Sequence, residues 1–206
     1  MKWWKRNSIA QARKLSVASV VFACAGLSAC GLFDTREPEP PNASNCFSAP
    51  QTERGIVLTN LQNAVAQKCA DTYTACFATL TSGVQAFVFV PSAEAREQYG
   101  AALSDWTPTD EDAYFRNLIS KSVTNGFASL VLVPLDSVIT ADSAVFNFDY
   151  TFIFEHTEPG FPSVARGNLQ YTLAPDANNI WRIHRWTDFK TTDEITWSLF
   201  KGKFSN

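Results

Sequence analysis

Two histidines are the chain's only side chains that ordinarily titrate near neutral pH, and one of them, His184, stands four residues before Asp188 in "IWRIHRWTDFK" (180–190). A His and a carboxylate could serve general acid–base chemistry if a dry pocket held them together near a substrate. On one strand face, however, residues four apart are separated by about 13 Å, too far for a hydrogen bond. The other histidine, His156, closes an aromatic face beside the Glu155–Glu158 turn, where a solvated position is expected. Asp149 shares a face with Asn147 and Thr151 and reads as an outward, wet carboxylate. Tyr150 points inward by parity, with no inward carboxylate beside it. No Ser-His-Asp order, phosphate-binding loop or zinc-ligand spacing occurs, and no metal or cofactor is expected.

The cysteines carry more information. "VFACAGLSACG" (21–31) ends an apolar run that follows Lys2, Lys5, Arg6, Arg13 and Lys14, the layout of a secretory signal peptide. The apolar stretch 15–29 reaches only about 22 Å as a helix, short of a membrane span. Leu27-Ser28-Ala29-Cys30 resembles the bacterial lipoprotein box. Cys24 fits less well, because Phe22 stands where a small residue belongs. The resemblance implies cleavage after residue 29, acyl chains on Cys30, and attachment to a cell-envelope membrane. Gly31 after the Cys favours the outer membrane over the inner one. Residues 30–51, rich in Pro, Glu, Ser and Asn, read as a flexible tether to a domain at 52–206.

Beyond residue 29 the chain keeps 12 basic against 20 acidic residues, a net charge of −8. Such a surface repels phosphate backbones, so nucleic acid is excluded as a partner. Cys46, Cys69 and Cys76 remain for one disulfide at most. Cys46 precedes the first expected helix and Cys69 ends it, about 25 Å away for 17 residues. Cys69 with Cys76, flanking a turn between helices, is the easier pair, and the fully reduced state stands beside it as an equal alternative.

These groups must be positioned by the elements around them. Thr52 can cap a helix to about Lys68, and Asp71 a short one over "TYTACFATL". "VQAFVFVP" (84–91) reads as a strand, a polar stretch follows, and Thr109 with Asp112 has capping-box spacing before a helix presenting Tyr114, Phe115, Leu118 and Ile119. From Phe127 the period is 2. Strands are expected over "FASLVLVPL", "SAVFNFDYTFIFEH", "VARGNLQYTLAP" and "IWRIHRWTDFK". Phe146, Phe148, Tyr150, Phe152 and Phe154 share one face, as do Leu169, Tyr171 and Leu173. The class is α+β, with leading helices covering the aromatic face of a strongly twisted antiparallel sheet.

That order, with "DTYTACF" (71–77), "FVFVP" (87–91) and "IWRIHRWTDF" (180–189), resembles the NTF2-like superfamily, which includes SnoaL and ketosteroid isomerase. The tail "TWSLFKGKF" (196–204) is similar to the ending of NTF2-like bacterial lipoproteins, with Phe200 inserted between Leu199 and Lys201. The resemblance implies a cone whose curved sheet wraps a helix around a pocket. Tyr114, Tyr150, Phe152, Trp186, His184 and Asp188 are the candidate pocket residues. Trp106, Trp181 and Trp197 could line that pocket or fill the core.

Because the ionisable residues depart from the catalytic pattern, the leading expectation is a tethered, non-catalytic domain. It would bind a small apolar ligand or an envelope protein. The alternative is an envelope enzyme of the SnoaL/isomerase type acting on a lipid-like or polyketide-like molecule, and an inward carboxylate beside a Tyr would favour it. A homodimer through the open sheet face is a third reading.

Overall fold

A computed structural model describes residues 46–79 and 85–205; the expected signal peptide, Cys30 and the tether up to residue 45 lie outside the described residues. The order is α1 (Arg54–Gln67), α2 (Ala70–Thr74), β1 (Val88–Val90), α3 (Ala93–Leu103), α4 (Pro108–Ser120), β2 (Ala128–Ile139), β3 (Ala144–Phe154), β4 (Val164–Pro175), β5 (Trp181–Phe189) and α5 (Trp197–Phe204). Five strands form one sheet in the order β1-β5-β4-β3-β2, with β1 parallel to β5 and the other pairs antiparallel. This is an α+β fold, and its succession of helices, short strand and long antiparallel strands is the one the NTF2-like resemblance implies. Among the described residues no helix is long and apolar enough to cross a membrane.

The period-2 reading holds on β3 and β4. Phe148, Tyr150, Phe152, Phe154, Leu169, Tyr171 and Leu173 are all buried. They make up much of a single core with Val57, Leu61 and Val65 of α1 and Tyr114, Phe115 and Leu118 of α4. The opposite sheet face is polar at its centre: Asn168 donates to Asp149, Gln170 to Asn147, and Asn147 to Asp136.

Three caps differ from expectation. Glu53, not Thr52, precedes α1, with no side-chain cap. Cys69 precedes α2, and Asp71 lies in that helix's first turn, paired with Arg116. The capping box of α4 is Thr107 with Asp110, two residues before the expected frame, because Pro108 fits the first helical position, where no N–H is needed. The polar stretch after β1 forms α3, capped by Ser92, and buries only Ala95 and Leu103.

The disulfide also needs correcting. Cys46 is bonded to Cys69, and Cys76 is a free, buried thiol. The separation expected from a straight helix is cancelled because residues 46–51 run back along α1 instead of continuing the tether. Phe47 N donates to Gln67 Oε1 (3.0 Å), and Ala49 exchanges two hydrogen bonds with the Asn60 amide (3.1 and 2.8 Å). Trp181 N then donates to Gln51 O (2.8 Å), tying this strap to β5. Cys76 faces the core instead, and burial pushes its thiol up to about 12.

Candidate functional site

The buried face of the sheet is where a pocket is expected, and α5 is seated there. Trp197, Ser198, Leu199, Phe200, Lys201, Gly202 and Phe204 of this eight-residue helix are buried. A Trp at 197, Phe and Lys at 200 and 201 and a Phe at 204 fall on one helical stripe, which turns that face inward. The Trp197 ring stacks on Phe152 at 4.4 Å and meets Trp186 edge-on at 4.6 Å, while Phe200 meets Phe152 edge-on at 5.1 Å. Tyr114, Phe152 and Trp186 are 0 % exposed and Tyr150 is 3 %. The expected pocket walls therefore enclose the chain's own C-terminal helix. Trp106, Trp181 and Trp197 are core residues as well.

Asp188 joins these walls, 2 % exposed, and an inward carboxylate does stand beside Tyr150, contrary to the reading by parity. The Tyr150 hydroxyl donates to Asp188 Oδ1 at 2.9 Å from two strands away. Gly167 of β4 lies between them, opposite Tyr150. A Cβ there would come within 2.4 Å of Phe189 O and 3.2 Å of the Tyr150 hydroxyl, so only glycine lets the ring reach across. Burial pushes the Asp188 carboxyl above its ordinary pKa, opposed by its hydrogen bonds and by the Lys201 charge.

That pair would suit acid–base chemistry if it faced an opening. Instead it holds the start of α5. Ser198 N donates to Asp188 Oδ2 (2.7 Å), the Ser198 hydroxyl donates to the same oxygen, and Trp197 N donates to the Tyr150 hydroxyl (2.8 Å). A carboxylate at a helix N-terminus satisfies backbone N–H groups and is favoured by the helix dipole. Tyr114 has a similar duty, accepting from Trp197 Nε1 at 2.9 Å.

His184 does not belong to this constellation. The β4–β5 register slips between Thr172 and Leu173, so Ile183 and Trp186 both have inward partners while His184 falls in the irregularity, half-buried. Desolvation and the nearby Arg185 charge lower its pKa. His156 is buried rather than solvated, against Phe161, Phe200 and Phe204. Its Nδ1 accepts from Glu158 N and its Nε2 meets Pro162 O, both at 3.2 Å.

The sequence reading missed the polar centre of this interior, a fully enclosed ion pair between Lys201 and Glu111. Glu111 also accepts from Trp106 Nε1 (2.8 Å) and the Tyr73 hydroxyl (2.9 Å). The Lys201 ammonium stands 3.4 Å from the Trp186 ring centroid and 3.9 Å from that of Phe89, with Trp106 and Tyr114 at 5.6 and 5.9 Å. Desolvation lowers Lys201 to about 8, against the raising influence of Glu111. The periodicity contained a signal: Glu111 shares the stripe of Tyr114, Phe115 and Leu118, and Lys201 that of Trp197 and Phe204.

No family model matches the sequence, and no curated protein is similar to it in sequence. Solved structures are similar in fold. An NTF2-like superfamily protein from Salmonella enterica aligns at 13 % identity over 66 % of this chain and 88 % of its own, with a TM-score of 0.48. A ketosteroid isomerase-like protein from Erwinia carotovora atroseptica aligns at 11 % identity over 67 % and 93 %, TM-score 0.46. A conserved protein from Planctomyces limnophilus gives 9 % identity over 65 % and 89 %, TM-score 0.46.

Proposed function

We propose that this chain is a cell-envelope lipoprotein, anchored through acyl chains on Cys30, whose domain works by binding a protein partner on its outer surface and not by chemistry in its interior. The observation that carries this reading is the seating of α5: the groups an NTF2-like enzyme would turn toward substrate are bonded to the helix that fills the cone. Binding then falls to the outside. Val131, Val133 and Val138 of the edge strand β2 are 46 %, 52 % and 66 % exposed. They pair with Thr151, Asp149 and Val145 on the uncovered sheet face. An apolar row beside a polar ladder fits a protein partner that buries the row and exchanges hydrogen bonds with Asn147, Asp149 and Gln170.

Two measurements test this. Cys30→Ala should abolish labelled palmitate incorporation and release the domain from membranes; retained label would overturn the anchoring. A photo-crosslinker placed at Val133 in intact cells should capture an envelope protein, and adding Asp136→Lys should reduce the yield several-fold. Crosslinking to a second copy alone would make the surface a self-association face, and no adduct at all would contradict the proposal.

A further inference from the structure

The cage around Lys201 has the parts of a receptor for an ammonium group. It has one enclosed carboxylate oriented by two neutral donors, Tyr73 and Trp106. Two aromatic faces, Trp186 and Phe89, close on the cation at 3.4 and 3.9 Å. Aromatic faces attract cations through their quadrupole, and the attraction grows once water is excluded. The Trp186 Nε1 has no hydrogen-bond partner, so a buried polar atom is left unused in the wall of the same chamber. A salt bridge that served packing alone would be replaceable by apolar side chains of the same volume, often without loss. Here the surroundings are specific to a positive charge: four rings around the cation, and a carboxylate that Lys201 shares with two further donors.

The cage also lies close to the surface. Phe89, on the edge strand β1, lines an open cleft of about 400 Å³ with Leu103, Arg96 and Asp105. The same residue's ring stands 3.9 Å from the ammonium, and Phe89 itself is 7 % exposed. A small cation could enter by displacement of one side chain.

We infer that the interior of the cone is a binding site for a primary alkylammonium group, and that Lys201 of α5 occupies it in cis as the chain's own ligand. Cutting the side chain back to Cβ removes the equivalent of n-propylammonium and should leave a site that takes that molecule back. The test uses the Lys201→Ala variant of the otherwise complete chain. Millimolar n-propylammonium should raise its unfolding temperature in a saturable manner and leave the wild-type protein unaffected. 1-Propanol, of nearly the same size without the charge, should bind at least ~10-fold more weakly, since cation–π attraction and the carboxylate are lost to it. Glu111→Gln in the Lys201→Ala background should abolish the preference. Equal rescue by propanol and propylammonium, or rescue by neither, would overturn the inference by making the chamber an ordinary apolar cavity.

Lys201→Met combined with Glu111→Gln guards against failure of the alanine variant to fold. It fills the volume and leaves no unpaired buried charge, so a cation site predicts a lower unfolding temperature than wild type, whereas a pair that served packing alone predicts no loss. A double variant as stable as wild type would overturn the inference.

Discussion

Asp188 is an ionisable side chain wholly enclosed and hydrogen-bonded from three donors, and its pH behaviour follows from that setting. Burial raises its folded-state pKa above the unfolded value. The folded protein therefore holds this proton to a higher pH than the unfolded chain does. The associated stability is complete below the ordinary carboxylate pKa and is lost as pH rises through the raised value. In urea unfolding from about pH 4 to about pH 7, the stability of wild type relative to Asp188→Asn should decline as pH rises. A difference that stays constant with pH would show that Asp188 does not titrate in this way. Only part of this residue's role was legible in the sequence. The family resemblance put it among the pocket candidates, but its contact with Tyr150 depends on the missing side chain at Gly167, on a third strand, which no local pattern reveals. His184 was misplaced for a related reason, because a single slip in register moves every later side chain on a strand.

At the scale of elements, α5 and the strap before α1 decide what the domain can do. The long antiparallel strands were legible because one aromatic face and one polar face enforce alternation. The helix α3 was not, since it buries two residues and leaves almost no periodic signal. The seat of α5 was hidden by its lysine, which reads as solvent-facing until Glu111 is found opposite. Its packing is tight at Gly202, where a Cβ would lie 2.3 Å from Tyr99 Cγ. Tyr99 is also the non-helical point of α3, so the two helices meet at a fixed bend. Gly202→Ala should lower stability by about 1–3 kcal/mol in urea unfolding, the usual result of overpacking. A neutral substitution would mean that α5 is held less closely than described. The strap is tied covalently across 23 residues of sequence. Cys69→Ser should therefore lower stability by about 3 kcal/mol, through the freedom returned to the unfolded chain. In unreduced, denatured residues 46–206, thiol titration should count only Cys76; two further reactive thiols would contradict the Cys46–Cys69 pairing.

Among the described residues, the fold separates an interior committed to helix α5 from an outer sheet face that no described element covers. Its acidic balance beyond residue 29 was readable from composition, and the α+β class from the order of periods. Whether the cone stands open or filled was not readable, because both states need the same aromatic inner walls. The account rests on α5 being an integral part of the core, since a helix that left easily would expose Asp188, Tyr150 and Glu111 to a small molecule and revive the enzymatic reading. Native-state hydrogen exchange measures this directly. If α5 is integral, the amides of Leu199–Phe204 should exchange only through global unfolding, at the same opening free energy as the amides of β3 and β4. Exchange of the α5 amides ~1,000-fold faster than those strands would contradict the account and identify the helix as a lid over a working pocket.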